Sequence, residues 1–216
     1  MNRPRCADLF CGAGGAAMGL HRAGFDMEGW DIKQGLAYPF HRHIGDALDA
    51  DLTGFDFVWA SPPCQAHTAL KTMHNAKPHA DLIPATRAKL EAWGGPWIME
   101  NVVGAPLRNA VMLCGTMFGL GVSGAQLRRH RLFESNIPLN VGHKCQHHGK
   151  TIGVYGGGHG VSLHRHAKGQ VCFTAAQERE AMGINWMTVD ELSEAIPPAY
   201  SEFLGHQIVA KIEERL

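Results

Sequence analysis

The sequence predicts an α/β fold, in which helices pack on the faces of a parallel sheet and a small, irregular second lobe is attached. In the first half of the chain, short apolar runs alternate with helical patterns, which is typical of such a sheet. From about residue 136 to residue 170, glycines and histidines crowd together and the periodicity disappears. With 216 residues and 45% hydrophobic content, the chain is long enough for one good core and a small appendage.

The elements follow from the apolar runs and the helical patterns between them. Strands are predicted near residues 5 to 10, 25 to 30, 55 to 60, 96 to 100, 110 to 114 and 131 to 134. Helices are predicted at residues 15 to 23, 80 to 93, 175 to 182, 189 to 195 and 199 to 215. We expect residues 1–135 and 186–216 to form the main domain and residues 136–185 to form the small lobe.

Charge and cysteine content limit the partners and the compartment. The formal net charge is zero and the pI is about 7.2, so any nucleic-acid binding must use a local patch. Residues 126 to 150 offer such a patch, because they contain five arginines and lysines and a single acidic residue. Six irregularly spaced cysteines, without a secretory leader or a membrane-spanning run, indicate a reduced, cytoplasmic protein without disulfides or membrane contact.

A glycine-rich turn follows the first strand, with the sequence DLFCGAGG at residues 8 to 15. Glycines let a backbone turn tightly and approach a ligand, so this turn favours a nucleotide-like cofactor. Asp31 ends the second strand, near the distance at which an acidic residue in such folds bonds ribose hydroxyls, and Asp46 is placed to accept from an adenine amine. Both aspartates have a simpler interpretation as caps of helices or turns.

A cysteine follows the strand at residues 55 to 60, within the sequence SPPCQ at residues 61 to 65. Two prolines stiffen the turn and a polar stretch follows it, so the Cys64 thiol is expected to be accessible. A reactive thiol there needs nearby positive charge to lower its pKa. An apolar strand delivers Glu100 and Asn101 at its carboxyl end, the edge that carries ligands in open α/β sheets. The alternative for Glu100 is pairing with a basic residue at that edge.

Three arginines supply positive charge in the sequence QLRRHRLF at residues 126 to 133. If this segment is a strand, Arg129 and Arg131 share one face and become partners for an anionic or carbonyl-bearing substrate. A solvated charged surface is the alternative. Residues 142 to 148 (GHKCQHH) look like a metal-ligand cluster that His159, His164, His166 or Cys172 would complete, but a flexible loop contacting phosphates and bases suits them better, and we expect no bound metal.

Together these segments resemble the cytosine carbon-5 DNA methyltransferase family. The resemblance rests on DLFCGAGG (8–15), SPPCQ (61–65), ENV (100–102) and RHR (129–131), and more weakly on IPP (196–198), in the order of that family. It implies a Rossmann-like sheet that binds S-adenosylmethionine, a short form of the target-recognition region, and double-stranded DNA as the partner of a monomeric enzyme in a bacterial or phage-infected cell.

The resemblance also implies roles for individual residues. Cys64 is expected to attack carbon-6 of a flipped-out cytosine, Glu100 to hold the ring N3 and the exocyclic amine, and Arg131, with Arg129, to contact the base carbonyl and keep the cysteine as thiolate. The residues expected at the cofactor are Asp8, Phe10, Gly12, Gly14, Asp31, Asp46 and Pro63, and those expected at the substrate are Gln65, Thr68, Asn101 and Arg128. A mobile loop at residues 66 to 84 is expected to close over the base.

The chain departs from the family near its end, where Ser193-Glu194 replaces the usual Gly-Asn pair before the last helix. This leaves open how the C-terminal segment closes on the cofactor side. Two alternatives to a DNA methyltransferase also remain: an enzyme that methylates cytosine in tRNA, and a methyltransferase-like DNA-binding protein without activity.

Overall fold

The computed structural model describes residues 3–67, 80–142, 144–155 and 173–214. Its strands are β1 Arg5–Leu9, β2 Asp26–Asp31, β3 His41–Ile44, β4 Phe57–Ala60, β5 Trp97–Asn101, β6 Val111–Leu113, β7 Gly121–Val122, β8 Ala125–Leu127, β9 Arg131–Ser135 and β10 Thr151–Ile152. Its α-helices are α1 Gly15–Ala23, α2 Ile83–Trp93, α3 Ala175–Met182, α4 Val189–Glu194 and α5 Pro198–Glu213.

Seven strands form the main sheet in the order β3-β2-β1-β4-β5-β9-β6. The first five in this order are parallel to one another, and β9 runs antiparallel between β5 and β6. The predicted mixed α/β fold, with a mostly parallel sheet, is therefore confirmed. Because β9 is antiparallel, its first residue, Arg131, lies at the edge where β4 and β5 end, and Asn101 is in register with Leu132.

Beside the main sheet lies a three-stranded sheet in the order β10-β8-β7. Its inner residues pack with those of α3 and α4 into a separate apolar cluster that includes Leu127, Ile152 and Met182. Two of its strands lie at residues 121 to 127, before the start of the predicted lobe at residue 136. The predicted division of the chain into domains stays a prediction.

The last helix, α5, packs directly on α1. A Cβ atom on Gly19 would lie 2.0 Å from the Pro198 carbonyl oxygen and 2.1 Å from Ser201 Oγ, so only glycine permits this approach. Ser201 Oγ donates to the Ala16 carbonyl at 2.8 Å. The two ends of the described chain therefore share one core, on the face of the sheet that also buries Phe25, Phe57 and Tyr200.

A buried ion pair joins α2 to β9. Arg87 donates from Nε and Nη2 to the two carboxylate oxygens of Glu134, each at 2.7 Å, and from Nη2 to the Pro106 carbonyl at 3.0 Å. Glu134 also accepts from the backbone amide of Arg108 at 2.7 Å. These contacts fix the strand whose first residue is Arg131.

Candidate active site

Cys64 lies in the turn that follows β4, at the carboxyl edge of the sheet, and its side chain is partly exposed. The end of β5 holds this turn in place: Asn101, which is 1% exposed, donates from Nδ2 to the Pro62 carbonyl at 2.8 Å. The amide oxygen of Asn101 accepts from the Val102 backbone at 2.9 Å. Asn101 Nδ2 thus holds the turn that presents Cys64, while its amide oxygen is used on the backbone after β5.

Glu100 and Arg131 form an ion pair next to this turn. Arg131 Nε lies 3.0 Å from Glu100 Oε1, and the two side chains are 12% and 9% exposed. Ser61 also hydrogen-bonds the Glu100 carboxylate, and its own Oγ accepts from Trp59 Nε1 at 2.9 Å. Burial raises the pKa of Glu100, while Arg131, Ser61 and Arg129 act in the opposite direction.

Cys64, Glu100 and Arg131 interact electrostatically across this cleft. Burial raises the pKa of the Cys64 thiol, and the carboxylates of Glu100 and Glu194 raise it further, whereas Arg131 lowers it. The net direction is upward, so without substrate the thiol is more protonated than an exposed cysteine. Positive charge from Arg131 is present as expected, but it does not outweigh burial.

Arg129 lies just before β9, which begins only at Arg131, so the two arginines do not both belong to one strand. Its side chain is buried and donates to two backbone carbonyls, that of Val154 and, at 2.6 Å, that of Ser193. The carbonyl of Arg129 accepts from Tyr200 Oη at 2.6 Å. Arg129 therefore ties the start of β9 to the small sheet and to the C-terminal segment, and its predicted catalytic role stays a prediction.

The expected basic strip at residues 126 to 150 is smaller than the sequence indicated. Arg129 is buried and Arg131 is paired with Glu100, which leaves Arg128, Lys144 and Lys150 as its accessible cations. Arg128 is half-buried and donates from Nη2 to the Gly149 carbonyl at 3.1 Å, while its Nε is buried without a partner.

The glycine-rich turn after β1 has an unusual backbone. Phe10 has a φ of 59° although it is not glycine, and Gly12 has a φ of 52°. A Cβ atom on Gly12 would meet no atom within 4 Å, so open space lies against this turn. The Gly12 amide donates to Asp31 Oδ2 at 2.9 Å, and the Lys33 amide donates to Asp31 Oδ1 at 2.9 Å.

Space next to Gly14 is filled by the protein itself. A Cβ atom on Gly14 would lie 2.7 Å from Pro39 Cδ and 3.0 Å from the ring of Tyr38. Tyr38 Oη donates to Asp8 Oδ2 at 3.5 Å, and Asp8 is 1% exposed. Burial, with the neighbouring Asp31, raises the pKa of Asp8 well above its usual range. Gly14 and Asp8 thus face Tyr38, a neighbour that the sequence patterns did not indicate.

Other predicted contact residues have simpler surroundings. Asp46 Oδ1 accepts from the Leu48 amide at 2.9 Å and caps the short 3₁₀ turn at Ala47–Asp49, which is the simpler interpretation considered above. Pro63 is exposed and Gln65 lies in the turn after Cys64. Thr68 and most of the predicted closing loop lie outside the described residues. Before that gap, His67 Nε2 lies 2.9 Å from Asp81 Oδ1.

Ser193 and Glu194 connect the C-terminal segment to earlier parts of the chain. Glu194 Oε2 pairs with Lys33 Nζ at 2.7 Å, and Ser193 accepts from Arg129 through its carbonyl. Glu191 Oε1 accepts from the Ala37 amide at 2.8 Å. The segment after β2 is therefore held against α4, and neither Lys33 nor Glu191 was indicated by the sequence patterns.

Cysteines and histidines from different parts of the chain form a cluster next to β9, which the sequence patterns did not indicate as a group. Among the described residues, Cys145 and His147 of the segment singled out in the sequence cluster with Cys114 and His130. The residues expected to complete a metal site, His159, His164, His166 and Cys172, lie outside the described residues. Among the described helices, none combines the length and the apolar character that a membrane span requires.

A cleft of about 460 Å³, lined by Glu134 and Trp97 among others, lies at the opposite edge of the sheet from Cys64.

The fold is similar to those of solved methyltransferases. No family model matches the sequence, and no curated protein matches it either. A DNA modification methyltransferase encoded within an Escherichia coli prophage aligns with a TM-score of 0.59 and 10% identity, over 98% of this chain and 99% of its own.

Two Dnmt2 structures show the same likeness. The Schizosaccharomyces pombe Dnmt2 methyltransferase aligns with a TM-score of 0.62 and 13% identity, over 97% of this chain and 99% of its own. DNMT2 from Spodoptera frugiperda aligns with a TM-score of 0.58 and 13% identity, over the same shares. At these identities the likeness establishes the fold, so the chain has the Rossmann-like fold of methyltransferases.

Proposed function

We propose that this protein transfers a methyl group from S-adenosylmethionine to carbon-5 of cytosine in DNA, through a covalent adduct of Cys64. The observation that carries the proposal is the convergence of Cys64, Glu100 and Arg131 at the carboxyl edge of β4 and β5. A nucleophile, a buried carboxyl group and a guanidinium are the groups that this reaction needs, and they come from three separate segments. The likeness to DNA methyltransferases adds support at the level of the fold.

The glycine-rich turn suits the adenosyl cofactor. Open space lies against Gly12, and Phe10, two residues before it, has a positive φ. Asp31 keeps Gly12 in place and brings a carboxylate to the end of β2, where a ribose hydroxyl is expected. When bound, S-adenosylmethionine supplies an electrophilic methyl group. Of the predicted cofactor contacts, Gly12 has open space beside it, whereas Asp31 and Asp46 each accept from the backbone amide two residues further on, as turn caps do.

Glu100 is suited to recognise cytosine as a neutral acid. The ring N3 of cytosine accepts a hydrogen bond and its exocyclic amine donates one, so a protonated carboxyl group satisfies both. Burial raises the pKa of Glu100 and so favours this form. A neutral Glu100 also no longer raises the pKa of Cys64, which makes the thiolate easier to form once the base is bound.

The thiolate of Cys64 then forms a bond to carbon-6, and the electron pair of the 5,6 double bond moves to carbon-5. Glu100 gives its proton to N3 and thereby stabilises the charge that develops. Arg131 contacts the base carbonyl while its Nε stays on Glu100. After carbon-5 has taken the methyl group, a base removes the proton from carbon-5, Cys64 leaves as the thiolate to restore the double bond, and N3 returns its proton to Glu100. Carbon-6 is stacked in a duplex, so the cytosine must leave the helix to reach Cys64.

Methyl transfer to DNA and to RNA separates the candidate functions. Purified protein is incubated with radiolabelled S-adenosylmethionine and either duplex DNA or tRNA. We expect label in DNA, and in Cys64→Ala a loss of at least about a thousandfold with cofactor binding retained. Cys6→Ala, a cysteine in the core, is the matched control. Label in tRNA alone would assign the enzyme to RNA, and no label in either would favour a non-catalytic role.

A covalent trap tests the adduct itself. DNA with 5-fluorocytosine at the target position is expected to remain bonded to Cys64, because fluorine at carbon-5 is not removed as a proton is. The complex is detected as a shifted band on a denaturing gel and assigned by peptide mass spectrometry. If DNA that is otherwise methylated gives no adduct, the covalent mechanism is wrong.

A further inference from the structure

Two cysteines and two histidines from separate segments meet beside the start of β9. They are Cys114, His130, Cys145 and His147, and their sulfur and nitrogen atoms all lie within 4.8 Å of one another. Cys114 Sγ lies 3.4 Å from His147 Nε2, and Cys145 Sγ lies 3.5 Å from His130 Nε2. Each sulfur therefore has an imidazole nitrogen beside it, and the two pairs close on a common centre.

The two sulfur–nitrogen separations match those of a tetrahedral zinc site. With Zn–S bonds of about 2.3 Å and Zn–N bonds of about 2.0–2.1 Å, a sulfur and a nitrogen on the same ion are about 3.5 Å apart. Both sulfur–nitrogen distances in the cluster agree with this value. Two thiolates with two imidazoles form a ligand set that favours zinc over the harder cations, which prefer oxygen.

We propose that Cys114, His130, Cys145 and His147 bind one structural Zn²⁺ ion. Four protein ligands fill a tetrahedral shell and leave no position for substrate, which is typical of a structural site rather than a catalytic one. Around the ligands, Thr116 Oγ1 donates to Cys114 Sγ at 3.3 Å, as the outer partner of a ligating sulfur does. The proposal does not depend on methyl transfer.

The bound ion would connect an irregular segment to the main sheet. Residues 136 to 150, as far as they are described, contain no strand or helix, and they supply Cys145 and His147. The other two ligands flank the main sheet: Cys114 follows β6, and His130 immediately precedes β9. A zinc ion would attach the irregular segment to the ends of β6 and β9 and hold His130, next to Arg131, in place.

Zinc content is the first test. The full chain is expressed in zinc-supplemented medium, purified in reductant without chelator, and analysed by plasma mass spectrometry, with circular dichroism as the check of folding. We expect one zinc per chain in the wild type and in His148→Ala, whose side chain is adjacent but outside the cluster. His147→Ala and Cys145→Ser are expected to lose zinc to a competing dye at least about tenfold more readily. Wild-type protein without zinc, or equal loss in His148→Ala, would overturn the proposal.

A second test uses only the wild type, so a variant that fails to fold cannot obscure it. The protein is stripped with chelator, and alkylation of each cysteine is followed by peptide mass spectrometry with and without Zn²⁺. We expect Zn²⁺ to slow alkylation of Cys145, which is partly exposed, at least tenfold and to leave Cys64 unchanged, whereas burial already protects Cys114. Equal alkylation with and without zinc, or a Cys114–Cys145 disulfide in freshly purified protein, contradicts the assignment. Methylation is not measured, so this result is independent of the proposed function.

Discussion

Replacing Arg87 with methionine is expected to destabilise the protein by about 3–5 kcal/mol, because it leaves the Glu134 carboxylate buried without its cation. The Arg87 and Glu134 side chains are only 7% and 5% exposed, so water cannot take over the lost contacts. Arg87 donates two hydrogen bonds of 2.7 Å to the carboxylate, which is the bidentate geometry of a strong charge-assisted pair.

This loss is large against the total stability of about 5–15 kcal/mol expected for a domain. For a chain of 150–250 residues, each kcal/mol shifts the melting temperature by about 2–4 °C, so Arg87→Met is expected to lower it by roughly 6–20 °C. The free energy of unfolding is measured by urea denaturation, followed through tryptophan fluorescence.

Arg108→Met is the matched control. Arg108 pairs with Glu91 at 3.2 Å, but these side chains are 65% and 55% exposed, so the loss is expected to stay below about 1 kcal/mol. Its backbone bond to Glu134 survives the substitution. In Arg87→Met/Glu134→Leu, where no buried charge is left alone, part of the stability is expected to return. If Arg87→Met and Arg108→Met cost the same, the reasoning about the buried pair is refuted.

Three further predictions concern the active-site thiol, a buried carboxyl group and the contact between the first and last helices. In Glu100→Gln, the pKa of Cys64 is expected to fall, because a carboxylate that raises it is gone; alkylation of Cys64 across pH measures this, and an unchanged profile contradicts it. The pKa of Asp8 is raised in the folded state, so its contribution to stability is complete below the unfolded value of about 3.9 and is lost as pH rises. Asp8→Asn is therefore expected to gain stability relative to the wild type from pH 5 to pH 8 in urea titrations, and a constant difference would show that Asp8 does not titrate as expected. Gly19→Ala is expected to cost about 1–3 kcal/mol or more by overpacking the helices, whereas Gly45→Ala, whose Cβ meets nothing within 4 Å, is expected to cost less; equal losses would contradict the close contact.

The sequence was sufficient for most of the elements because their signals are local. Helix α1 was predicted at residues 15 to 23 and is observed at Gly15–Ala23, since glycine in the left-handed conformation ends it at residue 24. Helix α2 begins at Ile83 rather than at residue 80. The two-residue strands of the small sheet were not predicted, because they are too short to show any period.

The candidate site was predictable where one residue type sits at the end of one strand, as for Cys64 and Glu100. Contacts between distant segments were not: the sequence gives no spacing that joins Cys114 to His147 or Arg129 to Val154. Arg129 illustrates the difference. Its residue type and its neighbours in the sequence predicted a contact with substrate, whereas in the fold its buried N–H groups donate to backbone carbonyls. These pairings depend on tertiary packing, which periodicity and short motifs do not encode.

The packing of α5 on α1 determines when this core can form during translation. Ser201 bonds the Ala16 carbonyl across 185 residues of sequence, and Gly19 fits only against the turn that begins α5. During synthesis, the face of α1 that α5 covers stays exposed until α5 has been translated. The nascent chain therefore cannot complete this core before α5 is available to cover α1.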